Sequence, residues 1–421
     1  MTAKRVTVEA PDDRPISYRE ALAWLYSTQR FGIKLGLQNA QRLFAALDLL
    51  PLKARVIHVA GTNGKGSVCA MAAAICRAAG YRTALFTSPH LLSYRERIQV
   101  NGELISEADT ATRLGAIRGL VRDWQPHPTF FEITTALALH YFRERDCEVV
   151  ILETGLGGRL DATNVVTPAL SVLTPIEFDH QAWLGDTIEK IAAEKAGIIK
   201  PRVPVISAKQ RAEAEAVIAA RALECEAPLR IVAEPLRGFE ISLPGEHQQQ
   251  NAALAVAALG AAQIEVSTDA IARGLQEVNW PARFQRFSER IIIDGAHNAA
   301  GARVLVQTWR HQFGNERATI IAGMLGDKDV AAVWQALTSI ARRIFLPQFR
   351  SSRALDPEQL KVAIEATTPD VPIRCFPSIA EALEAANREP EPILIAGSLH
   401  FSGEALATLA GDSAAYEECA Q

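Results

Sequence analysis

At 421 residues the chain is too long for one ordinary hydrophobic core and suits two large domains. Its 48% hydrophobic and 22% charged residues are those of a globular protein, and a formal charge of -4 argues against a nucleic-acid surface, although basic pairs such as Arg95 and Arg97 can still hold a small anion. The first fifteen residues are charged and proline-bearing with no apolar run, and the greasiest stretch, from Ala252 to Ile264, is too short and too rich in small residues to span a bilayer. We therefore expect a cytoplasmic protein with no membrane partner.

Taken in chain order, helical patterns over 18–29 and 37–48 precede a short apolar strand at 56–60. The strand runs into a glycine-rich turn, Gly61-Thr62-Asn63-Gly64-Lys65-Gly66-Ser67, and a helix is expected from Ser67. A turn of this kind offers backbone N–H groups and a positive helix end to a phosphate, with Lys65 as a mobile charge and the Ser67 hydroxyl within reach of a phosphate or its Mg2+. It departs from the common G-x-x-x-x-G-K-[ST] loop because Gly66 separates Lys65 from Ser67. A strand follows at 83–87, then a hairpin signalled by Asn101-Gly102, helices over 108–122 and 130–145, and strands at 147–154, 169–174 and 203–207.

Near-continuous apolar strands alternating with helices predict an α/β fold, a parallel-sheet ATP-binding domain with helices on both faces. A second α/β series begins after a linker at 280–288, with strand-like segments at 290–294, 318–323, 343–347, 372–376 and 392–397, and a capping box at Ser378 and Glu381. We place a P-loop domain over 1–284 and a smaller Rossmann-like domain over 285–421, with a ligand cleft between them. In a parallel sheet the carboxyl ends of the strands share one rim, which brings Ser88, Glu153 and His180 toward the phosphates as a hydroxyl, a carboxylate and an imidazole for Mg2+. Taken singly, Glu153 and His180 could equally cap their loops. Six cysteines without a C-x-x-C pair favour free thiols over disulfides or zinc.

Nine segments, "GTNGKGS", "FTSPHL", "TFFE", "LETGLGGRLDATN", "EFDH", "IAAEKAGIIK", "PARFQ", "DGAHN" and "AGSLH", stand in the order found in folylpolyglutamate synthases. From Ser17 to Glu404 the chain resembles that bifunctional dihydrofolate synthase/folylpolyglutamate synthase family of the Mur ligase superfamily. The resemblance implies ATP-dependent addition of L-glutamate to dihydropteroate and to reduced folates through an acyl phosphate. It implies that Gly61 to Ser67 hold the ATP phosphates, that Asn251, Arg283 and Asp294 contact the nucleotide, and that His297 faces the reacting phosphate. Ser67, Ser88, Glu153 and His180 match the ligands of two Mg2+ ions, with Lys195 as a carbamate; the plain alternative for Lys195 is a surface lysine paired with Glu194 or Glu189. Interdomain pairing by Arg283 and loop capping by Asp294 or His297 are the corresponding alternatives there.

For the pterin-bearing substrate the family's contacts fall on Lys34, Leu35, Gly36 and Leu37, on Thr129, Phe130, Phe131 and Glu132, and on Leu160, Asp161 and Ala162. One of the two phenylalanines is expected to meet the heterocycle, and Glu132 or Asp161 to accept from its amino-pyrimidine edge. Ser398 and His400 are candidates for the incoming glutamate. The resemblance further implies a monomer and leaves room for a monovalent cation. Two other readings are a Mur-type ligase acting on a nucleotide-linked wall precursor, disfavoured by the roughly 55 residues before the first strand, and a P-loop phosphotransferase or nucleotide switch.

Overall fold

The computed structural model describes residues 16–31, 36–367, 370–412 and 416–417, so Lys34 and Leu35 lie outside the described residues. In the first sheet the strands are β1 (Arg55–Ala60), β2 (Thr83–Phe86), β3 (Ile98–Val100), β4 (Glu103–Leu104), β5 (Val149–Glu153), β6 (Leu170–Leu173), β7 (Val205–Ala208) and β8 (Leu229–Val232). They are ordered β4-β3-β2-β5-β1-β6-β7-β8. Six pair in parallel, and the β3–β4 hairpin adds an antiparallel edge.

Successive residues of β1 serve opposite faces, as the two-residue period of a strand requires. Val56 packs with the helices Tyr18–Ser27, Gln38–Ala46, Glu107–Val121 and Phe130–Glu144. Ile57 and Val59 pack with the helices Lys65–Ala78, Glu246–Ala261 and Thr268–Glu277. The greasy stretch from Ala252 is thus mostly a helix buried on the sheet, and no helix among the described residues is long and apolar enough to cross a membrane.

The second sheet comprises β9 (Gln285–Arg286), β10 (Ile291–Ile293), β11 (Ala318–Ala322), β12 (Ala341–Pro347), β13 (Ile373–Phe376) and β14 (Ile393–Ala396), ordered β13-β12-β11-β14-β10-β9. All but β9 pair in parallel, and the sheet is buried between two apolar clusters.

Some details differ from the sequence reading. The helix after the glycine turn starts at Lys65, not Ser67, because Gly64 takes the left-handed conformation (φ 88°) as its N-cap. At the predicted capping box Ser378 Oγ does accept the Glu381 N–H (3.2 Å), but the Glu381 carboxylate accepts from that hydroxyl and leaves the cap's own N–H unreciprocated.

Candidate active site

The phosphate loop leaves the end of β1 between its two parallel neighbours. Gly61 (φ 152°) lies where a side chain would collide with Thr174, and a Cβ on Gly64 would come within 2.6 Å of Asn251 Oδ1. Asn251 is therefore packed directly on the loop, steadied by its own Nδ2–H to Gln248 Oε1 (2.9 Å). The N–H groups of Thr62 and Asn63 both donate to Pro175 O (2.9 and 3.3 Å). These two main-chain donors are therefore already engaged. The free donors are those of the first helical turn, Lys65, Gly66 and Ser67, which have no intrahelical acceptor. Lys65 Nζ folds back onto Thr62 O (3.2 Å), and Ser67 is buried.

Register places Glu153, the last residue of β5, opposite Val59. It is 4% exposed, and its Oε2 accepts the Ser88 N–H (3.2 Å), so the predicted pair meets at one rim. Burial raises the Glu153 carboxyl, against the charge of Lys65, the Ser88 N–H and the charges of Arg283 and Arg97. Arg283 is held by Nη1–H to Ala282 O (2.9 Å); burial lowers it, opposed by Asp294 and Glu153. Asp294 accepts the N–H groups of Phe284 and Ala296 (both 2.8 Å), so it caps the turn between linker and strand while keeping acceptor positions free. His297 sets Nδ1 on Gly295 O at 2.9 Å.

Lys195 is not a surface lysine. It is 4% exposed with Nζ on Gly61 O (2.8 Å), and Glu194 pairs with Arg159 (2.7 Å) instead. Burial, aided by the charge of Lys65, lowers its amine to about 7. His180 adopts a left-handed backbone (φ 51°) before the helix Gln181–Leu184, and burial lowers its imidazole to about 4, leaving a neutral ring with a lone pair for a cation.

A cluster around Asp179 escaped the sequence reading. Lys328 of the second sheet's domain donates to Asp179 Oδ1 (2.7 Å), both side chains being under a tenth exposed; His297 Nε2 lies 3.4 Å from Oδ2 and Asn298 Nδ2 donates to it at 3.4 Å. Burial would raise this carboxyl, but the hydrogen bond and charge of His297 and the charge of Lys328 hold it well below the usual carboxylate range. Asn298 also exchanges amide hydrogen bonds with Asn63 of the phosphate loop (3.0 and 3.3 Å). The only signals in sequence were membership of "EFDH" and "DGAHN".

A cavity of about 660 Å3 gathers Gly36, Ser88, Thr129 to Glu132, Leu160 to Ala162, His180 and Trp183 from the first domain with His297, Lys328, Arg353, Ser398 and His400 from the second. Phe130 stacks on Tyr26 inside the core (5.6 Å between rings), whereas Phe131 is only half-buried, so of the two it is Phe131 that offers a face to a ligand. Glu132 accepts the Thr129 N–H (2.6 Å) as a helix cap. Asp161 accepts from the N–H groups of Gly155 and Leu156 (2.9 Å each), the Thr163 N–H (3.0 Å) and the Thr163 hydroxyl. With its four acceptor positions filled, Asp161 shapes the loop and is not available to an amino-pyrimidine edge. Leu37 precedes the helix Gln38–Ala46, and Ser398 caps Leu399–Leu409 through the Phe401 N–H (3.1 Å). His400, lowered to about 4 by burial, has no partner at Nδ1 among the described residues.

One carboxylate, Glu153, with the hydroxyls of Ser67 and Ser88 fits a hard cation that takes its remaining oxygens from phosphates and water, the usual mode of Mg2+. Among the described residues no group of three or more His, Cys, Asp or Glu forms a closed metal cage, and the five described cysteines are free thiols.

The Mur ligase middle domain matches residues 59–204, and the Mur ligase glutamate ligase domain matches 282–399. Dihydrofolate synthase/folylpolyglutamate synthase of Bacillus subtilis is 35% identical over 432 residues, covering 91% of this chain and 97% of its own. Among solved structures, Escherichia coli FolC in complex with DHPP and ADP superposes with a TM-score of 0.82 at 34% identity, covering 93% of this chain and 98% of that one. The Yersinia pestis bifunctional folylpolyglutamate synthase/dihydrofolate synthase complexed with AMPPNP and Mn ion gives 0.84 at 32% identity, covering 94% and 98%. These likenesses each run over about nine-tenths of this chain and nearly the whole of the matched proteins, and the chain belongs to the dihydrofolate synthase/folylpolyglutamate synthase family of Mur ligases.

Proposed function

We propose that the chain joins L-glutamate to dihydropteroate, and to the glutamyl tail of reduced folates, by ATP-dependent ligation through an acyl phosphate. The carrying observation is the single cavity in which Ser88 and His180, beside the phosphate loop, share walls with Phe131 and with Ser398 and His400 of the second domain. It is large enough for a folate-sized ligand.

A carboxylate is a poor electrophile, and moving the γ-phosphoryl group onto it brings anions together, so the site must neutralise charge. The first-turn N–H groups of Lys65, Gly66 and Ser67 point at the transferring phosphate, and Lys65 exchanges Thr62 O for a phosphate oxygen. Mg2+ held by Ser67, Ser88 and Glu153 would screen the same oxygens. Gly61, Thr62, Asn63 and Gly64 shape the loop, while Asn251, Arg283 and Asp294 hold the rest of the nucleotide. Phe131, with Thr129, Leu160 and Ala162, seats the pterin. Ser398 and His400 orient the incoming glutamate, whose amine attacks the acyl phosphate, and His297 stands at the same wall with Nε2 against Asp179. The Asn63–Asn298 and Asp179–Lys328 contacts hold the two domains together over the reaction and exclude water.

Lys195 is a candidate for carbamylation, because burial leaves its amine substantially neutral, and only the neutral amine adds CO2. The carbamate would stand with His180 as ligands of a second Mg2+. We assign 1–284 and 285–421 as the two domains and, on the family resemblance, a monomeric cytoplasmic enzyme with room for a monovalent cation. The acyl phosphate is tested with dihydropteroate carrying 18O in its carboxylate. One 18O should appear in the released phosphate, and unlabelled phosphate would overturn this route.

A further inference from the structure

Two residues that follow the last helix grip both sides of the cavity. Glu417 accepts the Tyr18 hydroxyl at 3.0 and 3.1 Å, the Ser93 hydroxyl at 3.2 Å and the Tyr94 N–H at 2.6 Å. Its own N–H donates to Leu92 O (2.8 Å), and its carbonyl accepts from His90 Nε2 (3.1 Å). That leaves His90 Nδ1 as the acceptor for Arg97 Nε (2.8 Å), and the Arg97 guanidinium lies over the Phe130 ring at 5.4 Å. Tyr94 meets the same ring edge-on, at 6.2 Å, and donates to Thr134 Oγ1 (3.2 Å). The contacts of Glu417 therefore converge on the segment 90–97 that backs the wall at Thr129 to Glu132.

Its neighbour holds the opposite wall. Tyr416 is buried, donates its hydroxyl to His400 O (3.4 Å) and lies under Arg350 (5.5 Å), which is paired with Glu404 (3.2 Å). Between the two grips the domains touch closely: a side chain on Gly403 would collide with the Leu91 carbonyl, and Leu91 packs within an apolar cluster of the second domain.

We propose that Tyr416 and Glu417 form a clasp that positions the acceptor-binding wall of the cavity, acting through segment 90–97 and not by touching substrate. The proposal rests on the pteroate reading of that wall. Its test uses the full chain with Glu417→Ala, Glu417→Gln and Tyr416→Phe, comparing KM for dihydropteroate with KM for MgATP, and amide hydrogen exchange over 88–97 with that of the two sheets.

Glu417→Ala should raise KM for dihydropteroate about tenfold and leave that for MgATP within about twofold, since three donors lose one charged acceptor. Exchange should rise in 88–97 alone. Glu417→Gln, which keeps one acceptor oxygen, should restore most of the affinity, and Tyr416→Phe should raise KM for dihydropteroate more mildly. Unchanged KM and exchange in Glu417→Ala, or parallel loss for both substrates with protection falling across both sheets, would overturn the clasp. If the unmodified protein fails to ligate glutamate, the functional reading falls separately. The exchange pattern then decides the clasp: a rise confined to 88–97 upholds it, and no rise overturns it.

Discussion

The buried amine of Lys195 sets a quantitative expectation. Its fall from 10.5 to about 7 corresponds, at 1.36 kcal/mol per pH unit, to about 5 kcal/mol against the ammonium form. At pH 7.5 about three quarters of such amines are neutral, compared with about one in a thousand at the ordinary lysine value. The site therefore presents roughly three orders of magnitude more nucleophilic amine to CO2 than a surface lysine. Linkage fixes the sign. The folded state binds fewer protons here, so unmodified Lys195 opposes folding below about pH 7, and this penalty is relieved as pH rises from there toward the unfolded value. The assay is 13C NMR of protein equilibrated with 13C-bicarbonate at pH 6 and pH 8. A carbamate resonance that grows with pH and disappears in Lys195→Ala, with activity falling in CO2-depleted buffer, is the expected result. No resonance at pH 8, with full activity in CO2-free buffer, would refute the reasoning.

Lys65→Ala should lower kcat by at least about a hundredfold, the size of losing one preorganised charge-stabilising group, with unchanged circular dichroism; near-normal turnover would misplace the phosphate site. Glu153→Gln should raise the Mg2+ concentration needed for half-maximal activity, read from a metal titration at fixed ATP. Asp179→Asn and Lys328→Met should each destabilise by about 3 kcal/mol, as expected for one half of a buried ion pair. In urea unfolding at pH 7 the double variant should lose about 1–2 kcal/mol less than their sum. Because Asp179 is depressed, its contribution is intact at neutral pH and is lost only as pH drops below about 4, the ordinary carboxylate value; additivity at pH 7 would show that the pair does not couple. Phe131→Ala should raise KM for dihydropteroate while Phe130→Leu chiefly lowers thermal stability, since Phe130 is packed in the core.

Much of this was readable from residues alone where the chemistry is local. The glycine turn, the apolar strands and the strand-end position of Glu153 follow from period and punctuation, because parallel pairing forces strand ends onto one rim. β8 was missed because it is an edge strand whose residues are partly or wholly exposed and lack an apolar run. Lys195 sits in a helix with acidic neighbours and reads as surface, yet the packing of that helix against the phosphate loop buries it. Asp161 looks like a ligand acceptor in sequence, but donors of its own loop fill it, whereas Glu132 accepts the Thr129 N–H as a helix cap. Asp179 and Lys328 are 149 residues apart on different domains, and only their juxtaposition turns two ordinary charges into a joint.

The most direct measurement is ADP formation by the purified protein with MgATP, omitting dihydropteroate, tetrahydrofolate or L-glutamate in turn, with mass analysis of the products. ADP release that requires both an acceptor and glutamate, with one glutamyl unit added to dihydropteroate and further units to tetrahydrofolate, is the predicted result. ADP formed at the same rate without acceptor or glutamate would contradict the ligase account and leave a nucleotide hydrolase in its place.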